Sequence, residues 1–515
     1  MVGAGPTGLT LALQAHDHGA RVRVVERRPD AFRPSRALIV HPRTLEVLRP
    51  LGVTDGLMSR ADTSPSVCLH LGSRVVPVRM AELALPDTAF PHLSLVRQAD
   101  VEAVLGRALA DRGVAVERGR ALVGFDEDAD GAYAVLRSSD GAEEAACGAI
   151  VGCDGVQSTV RTLSGIGWPG GTYRHEVVLA DVDLDGVDLS GDAEPGEAHV
   201  VAGRRGLLFL FPLGEGAAWR LLATRPAGRV AVSPGDSGPP VPARELQHLL
   251  DGAGLDARVT GVAWSSGVRV QYRVAARFRR GRVFLAGDAA HASSPAGGQG
   301  MNTGIQDATN LGWKLAFAGT SSDLDGLLDS YHDERRPLAH QVLAMTHLIF
   351  WAESSTDLVA SFLRGTLAPV AAPLVPLVLR QRRLVASGVR VLAQLDLSYR
   401  GSRLAVDGTA PPAGGPAAGD RLPDANVTCG GRVVRLHALL ARPGVHVLVA
   451  RDAREPRLGA TGGLVHVHRL TSRTGCGVLA VRPDGYVGFR GGSVDDGELQ
   501  RWLSRVGVNG EPGGA

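Results

Sequence analysis

Gly3, Gly5 and Gly8 stand at G-x-G-x-x-G spacing at the head of VGAGPTGLTLALQAHDHGARVRVVERR. Such a loop turns tightly and brings backbone amides close to a pyrophosphate, whose charge then sits at a helix N-terminus. Glu26, with Arg27 beside it, ends the strand-like VRVVE about 20 residues further on, where a carboxylate accepts the adenosine ribose hydroxyls of a dinucleotide. Because the chain holds 67 glycines, the spacing alone also fits an ordinary strand-turn-helix with a solvated glutamate.

Two later segments carry compatible chemistry. IVGCDGVQSTVR ends an apolar strand at Asp154 and Gly155 and offers Ser158 and Arg161 on the next turn. The glycine permits close approach to a phosphate, and Arg161 either neutralises that phosphate or anchors the turn; a structural β-turn explains the segment equally well. RVFLAGDAAHASSPAGGQGMNTGIQDATNLGWKL is more specific. Its buried strand delivers Gly287 and Asp288, whose carboxylate is placed to accept from a ribityl hydroxyl, and Pro295 ends the following turn. Gly297, Gly298 and Gly300, with Met301 and Asn302 following, open backbone amides at a helix start, a site for negative charge on a cofactor ring.

The elements that must hold these groups follow from texture. A chain of 515 residues exceeds one typical core and suggests about three domains. Its 55 Lys+Arg against 53 Asp+Glu leave a net charge of +2, so nothing marks it as a nucleic-acid or membrane-surface binder. Lys314 is the only lysine, a bias that with the heavy alanine and glycine use points to a GC-rich genome. Five scattered cysteines, Cys68, Cys147, Cys153, Cys429 and Cys476, form no C-x-x-C and no zinc spacing, which favours a reducing cytoplasm. The nucleotide motif occupies the place of a leader, and it leaves only Met1 and Val2 for the expected first strand. LAPVAAPLVPLVL, broken by Pro369, Pro373 and Pro376, is too short for a bilayer and reads as a buried or surface-packed helical segment. The first third alternates helix and strand; a β-rich texture runs from about Tyr173 to Arg280, and GRVFLAGDAAH then returns to the nucleotide site.

The glycine loop through Glu26, CDG, and GDAAH...P.GGQG.N occur in the order that identifies the class A FAD-dependent aromatic hydroxylases, and the chain resembles that family over nearly its whole length. The resemblance is to flavoprotein monooxygenases of the para-hydroxybenzoate and phenol hydroxylase type, nearest the aromatic-polyketide hydroxylases. It implies an α/β fold: a Rossmann-like FAD-binding domain over 1–172 and 265–345 and an inserted β-sheet substrate domain over 173–264. A helical segment over 346–404, a Pro/Gly-rich linker over 405–419 and a thioredoxin-like domain without redox cysteines over 420–515 complete it. That last domain is expected to pack or to form a homodimer.

By the same resemblance Glu26 binds the adenosine ribose, and Arg36 in PSRALIVHPRTLE reaches the FAD pyrophosphate region. Arg97 and Gln98 in RQADVEAVL contact the flavin, while Asp154, Gly155 and Arg161 serve both FAD and a transiently bound nicotinamide. The loop with Pro295 and Gly298 lies at the flavin ring, where the flavin itself carries the chemistry; His291 is structural. Phe209, Phe211, Trp219 and Trp264 are candidates for an aromatic substrate pocket, although core packing accounts for each singly. The implied reaction is hydroxylation of a phenolic or polycyclic aromatic, of polyketide type, through a flavin C4a-hydroperoxide. It consumes O2 and NADPH or NADH. Baeyer-Villiger oxygen insertion on the same architecture, or a flavin-binding module without turnover, are the alternatives.

Overall fold

A computed structural model describes residues 1–31, 37–63, 66–72, 74–79, 85–128, 131–186, 197–203, 206–213, 217–226, 238–355, 357–458, 463–472 and 477–508. The nucleotide layer is a parallel sheet ordered Val116–Arg118, Val24–Glu26, Val2, Ile150–Gly152, Val283–Leu285, with antiparallel Arg279–Arg280 at its edge. Val2 bridges both neighbours: its N–H donates to the Val151 carbonyl at 2.8 Å, and the Val25 N–H donates to the Met1 carbonyl at 3.0 Å. The central strand is therefore formed even though so few residues precede the glycine loop. Strands Val24–Glu26, Ile150–Gly152 and Val283–Leu285 are buried throughout, as a parallel sheet covered on both faces requires. Helix Pro6–Asp17 leaves the loop directly and lies along helix Gln299–Phe317.

An antiparallel meander, Ala121–Glu127, Ala132–Ser138 and Gly141–Cys147, interrupts the alternation expected of the first third. The second large sheet has eight strands in the order His291–Ala292, Arg258–Val274, Gly170–Asp185, Trp219–Pro226, Gly206–Pro212, Ala198–Gly203, Ser66–Leu71, Arg74–Arg79. It reaches beyond the 173–264 interval because Ala198–Gly203 pairs in parallel with Ser66–Leu71, a long-range pairing that no local pattern signals. Alternation gives the sheet two faces. Val178, Val201, Leu210 and Leu221 pack with Leu246 and Leu250 of helix Ala243–Ala253, whereas Val177, Leu179 and Val270 face Ala296 and Phe350.

Helix Leu324–Ser354 is followed by short helical pieces into which the prolines break the apolar segment. Leu367, Val370, Leu374 and Leu377 of that segment are exposed, so of the two expectations, buried or surface-packed, the helical segment follows the surface one. No helix among the described residues is long and apolar enough to cross a membrane.

The last part forms a seven-stranded mixed sheet that already includes Val406–Asp407 from the expected linker, with helix Asp496–Val506 beside it. Its core takes in Trp313, Phe317 and Leu327 from the first domain. Two buried ionic clusters tie the same junction. Glu334 accepts from Lys314 Nζ at 2.8 Å, from both terminal nitrogens of Arg482 at 2.6 and 2.8 Å, from Asn310 Nδ2 at 2.7 Å and from Ser402 Oγ at 2.5 Å. Glu46 accepts two bonds from Arg421 at 2.5 and 2.8 Å and one from Arg43 at 3.0 Å.

Burial opposes ionisation of Glu46, but the Arg421 hydrogen bonds and charge outweigh it and lower the carboxyl from 4.5 to about 2. A depressed carboxyl contributes stability that is fully present above its unfolded value and is lost as pH falls through the folded one. Stability is therefore expected to drop by up to about 3 kcal/mol between pH 4.5 and 2 from this group alone. Melting temperature against pH checks this: Glu46→Gln should flatten that limb, and an unchanged slope would refute the assignment.

Candidate active site at the flavin cradle

The glycine loop fits because its carbons cannot be larger. A Cβ on Gly3, whose φ is 102°, would sit 2.4 Å from the Cys153 carbonyl oxygen, and one on Gly8 would sit 2.0 Å from the Gly3 oxygen. Gly5 precedes Pro6 at the helix start with no side-chain cap, so first-turn amides stay available to an anion. Glu26, buried at the strand end, accepts from the Ala4 N–H at 2.9 Å and from the Arg28 N–H at 3.0 Å. It braces the loop, and a carboxylate with about four lone-pair sites keeps capacity for further donors. Arg27 is exposed. Arg36 lies outside the described residues.

Gln98 pins the segment that follows Arg36: its N–H donates to the Ala37 carbonyl at 3.1 Å and its Oε1 accepts from the Ala37 N–H at 3.3 Å. Arg97 bonds to Asp100 on its own helix at 2.7 Å. At the second signature Asp154 accepts from Ser158 Oγ at 2.5 Å and from the amides of Thr159 and Val160, and burial pushes its carboxyl up despite these bonds. Arg161 donates to the carbonyls of Ala289 at 2.9 Å and Val156 at 2.6 Å and lies 3.9 Å above the Trp168 ring centroid. It staples the CDG turn to the GDAAH segment. Gly155, at φ 81°, faces open space where a Cβ would be.

At the third signature the organiser is Asp307, on the helix beneath. Its carboxylate accepts from the Gly287 N–H at 3.0 Å, His291 Nε2 at 2.6 Å and Arg335 Nε at 2.7 Å. Burial raises this carboxyl, but Arg335 and His291 offset that and hold it below the usual range. His291 is thus buried in a structural bond. Asp307 and Arg335 are not apparent from the signatures; the legible signal was polar Thr303, Asp307, Asn310 and Lys314 at helical spacing in a helix buried nearly throughout.

Asp288 is exposed on the short turn Gly287–Ala289, and Gly300 faces it, its Cβ position lying 4.0 Å from Asp288 Oδ1. Pro295 is exposed, and its carbonyl accepts from the Gly298 N–H at 2.9 Å. The Gly298 amide is therefore consumed in closing the turn rather than left open. The open amides belong to the first turn of helix Gln299–Phe317, which no side chain caps and which includes Gly300 and the half-buried Met301. Asn302 uses its whole amide group, accepting from the His41 N–H and Thr44 Oγ1 and donating to the Ile39 and Gly298 carbonyls. It holds the 39–44 segment to the glycine turn.

The four aromatic candidates are not brought together. Register places Phe211, Arg220, Asp181 and Trp264 in one row across four strands, with Phe209 stacked on Phe211 at 6.1 Å. Trp219, one residue out of phase with Arg220, points to the opposite face and packs with the helix-covered core. Arg220 is buried and donates twice to Asp181, at 2.8 and 2.9 Å. Sequence reading missed this pair, because neither residue belongs to a motif.

A glycine loop that only hydrogen can fill, an exposed carboxylate and an uncapped helix start, converging at the ends of a parallel sheet, fit a flavin dinucleotide. The family model of the FAD-binding domain matches residues 1–346. A flavin-dependent monooxygenase of Mycobacteroides abscessus is 35% identical over 505 residues, covering 95% of this chain and 96% of that protein. A 6-methylpretetramide 4-monooxygenase of Streptomyces rimosus is 38% identical over 373 residues, 72% of this chain and 64% of that enzyme. The structure of a ternary complex of aklavinone-11 hydroxylase with FAD and aklavinone is similar, with a TM-score of 0.74, 27% identity and 98% of each chain covered. The chain belongs to the FAD-binding-domain family of flavin-dependent aromatic monooxygenases. Its cofactor is FAD, with NAD(P)H and O2 as co-substrates.

Proposed function

We propose that the enzyme hydroxylates a polycyclic, polyketide-type aromatic laid against the sheet face that carries Phe209, Phe211 and Trp264. The observation that carries this reading is the row Phe211, Arg220, Asp181, Trp264. Spanning four strands at about 4.8 Å spacing, it offers a face roughly 14 Å wide, suited to fused rings rather than to a single phenol. The relatives named for 6-methylpretetramide and aklavinone support it.

When bound, FAD takes electrons from NAD(P)H and passes one atom of O2 to the substrate, so the chain's own residues bind, orient and stabilise charge. Gly3, Gly5 and Gly8 admit the pyrophosphate, the region to which the family resemblance also assigns Arg36, Glu26 takes the adenosine ribose with Arg27 next to it in sequence, and Arg97 and Gln98 set the segment beside the flavin. Asp154, Gly155 and Arg161 shape the region shared with the nicotinamide. Gly287 and Asp288 take the ribityl chain, while Pro295, Gly298, Gly300, Met301 and Asn302 form the turn at the ring. First-turn amides of helix Gln299–Phe317 stabilise negative charge there. The C-terminal sheet is read as a thioredoxin-like packing domain, and the four described cysteines, all free, support a cytoplasmic setting.

Substrate-stimulated NAD(P)H consumption, scored with product connectivity by NMR over a panel of polycyclic aromatics, tests the reading. A ring-bound hydroxyl supports it; an inserted lactone oxygen, or no stimulation by any aromatic, overturns it. Asp288→Ala should weaken FAD by about ten- to a hundredfold, the loss of a charged hydrogen bond worth about 1.5 to 3 kcal/mol. Titration of the apoprotein with FAD checks this, and unchanged affinity would remove Asp288 from the cradle.

A further inference from the structure

The turn at the ring is built from two consecutive left-handed glycines, Gly297 at φ 69° and Gly298 at φ 63°. Two such residues give a turn that is free to reshape unless something holds it. Three buried side chains do. The Gly297 carbonyl accepts from His41 Nε2 at 3.2 Å and from Gln299 Nε2 at 3.3 Å. Burial lowers His41 to about 4, so the ring is neutral and Nε2 carries its proton for that bond. Gln299 Nε2 also donates to the Leu392 carbonyl at 3.0 Å, and Gln299 Oε1 accepts from Gln394 Nε2 at 2.5 Å.

Gln394 is the centre of this arrangement. It is 2% exposed, and its amide nitrogen donates to Thr303 Oγ1 at 2.9 Å as well as to Gln299, while its oxygen accepts from Gln306 Nε2. Its backbone has φ 58°, one of two non-glycine residues among those described with positive φ. A left-handed glutamine costs conformational energy that glycine would not, and such strain persists where surrounding contacts over-determine it. Here the contacts lead to the glycine turn.

We propose that Gln394, acting through Gln299 and together with His41, clasps the Gly297–Gly298 turn and is a positioning residue for the flavin ring. The proposal rests on the placement of the ring at this turn made above. The clasp keeps the first-turn amides of helix Gln299–Phe317 aimed at one place, so that stabilising a reduced, negatively charged ring requires no rearrangement. It also gives the stretch after helix Arg382–Leu392, outside the family's matched region, a part in the active site.

Gln394→Gly removes the side chain and relieves the left-handed strain; Gln394→Leu removes the bonds but keeps most of the bulk. In the full-length Gly variant thermal stability should fall less than in the Leu variant, because relief of the left-handed strain offsets part of the cost of the lost bonds. Apoprotein titrations should show FAD affinity falling roughly tenfold in both variants, while ADP, used as a probe without the ring, binds within about twofold of wild type. The midpoint potential of bound flavin should become more negative, and kcat should fall with KM little changed. Wild-type FAD affinity and potential in the Gly variant would overturn the clasp, as would FAD and ADP affinities falling in parallel. If the Leu variant does not fold, the Gly variant carries the test alone. Failure of wild-type enzyme to respond to any aromatic would sink the proposed reaction but leave these binding and potential measurements to decide the clasp.

Discussion

Replacing Gly8 with alanine is expected to lower FAD affinity by about a hundredfold or more, equivalent to about 2.7 kcal/mol. The added carbon would lie 2.0 Å from the Gly3 oxygen, a backbone atom that cannot rotate away, so either the loop or helix Pro6–Asp17 must shift. Shifting the loop breaks the Gly3 amide's bond to the Val25 carbonyl at 2.8 Å and moves Ala4 away from Glu26. Overpacking of this kind also costs about 1 to 3 kcal/mol of stability. Gly106 provides the control: it sits in helix Gln98–Asp111 with nothing within 4 Å of its Cβ position. Gly106→Ala should gain up to about 1 kcal/mol from helix propensity and leave FAD binding unaltered. Equal FAD affinity in the Gly8→Ala variant and wild type would show that the loop is not the pyrophosphate cradle.

The second large effect is expected at Glu334, far from any signature. Glu334→Ala would leave Lys314 without its carboxylate and strip Arg482 of one of two acidic partners, Asp484 being the other. Breaking a buried pair from one side costs about 3 to 5 kcal/mol, much of the about 5 to 15 kcal/mol that a domain holds. The recovered protein should melt at much lower temperature and release FAD on mild warming, because Lys314 and Asn310 lie on the helix whose first turn is proposed to meet the ring. The deficit should also depend on pH. Burial lowers Lys314 from 10.5 to about 8 even with Glu334 beside it. A lysine depressed in the folded state penalises folding below its folded value, and the penalty fades as pH rises toward the unfolded one. Without Glu334 the Lys314 value should fall below 8, so the variant should regain stability relative to wild type as pH rises from that lower value to about 8, above which both folded proteins hold a neutral lysine. Denaturant unfolding at pH 7 and pH 10 measures this, and a deficit equal at both would mean that Lys314 is not the stranded charge.

Charge in this molecule is spent mostly on holding parts together, which explains why several signature residues turn inward. Asp154 caps a turn, Arg161 joins two signatures through carbonyls, and Glu26 braces the loop it follows. Each supports its neighbours, so variants at these positions should mix any loss of the proposed binding role with local disorder. The uncapped helix start is a cleaner probe, because open amides carry less of the scaffold.

Motif order and local period made much of this legible in the amino-acid sequence: the glycine loop, the buried parallel strands and the turn before Gln299 all stand where their residues point. These depend on near-neighbour chemistry, such as glycines that must lack a Cβ and apolar runs that must be covered on both faces. Tertiary structure alone decided what depends on distant partners. The eight-stranded sheet acquires residues 66–79 through a parallel pairing, and its register sends Trp219 to the face opposite Phe209, Phe211 and Trp264. Arg220 meets Asp181, Asp307 gathers Gly287, His291 and Arg335, and Gln394 reaches Gln299 only because strands and helices far apart in the chain pack side by side. A one-residue change of phase reverses a side chain's face, and a hydrogen bond forms only within about 3 Å, so neither was readable from composition or spacing.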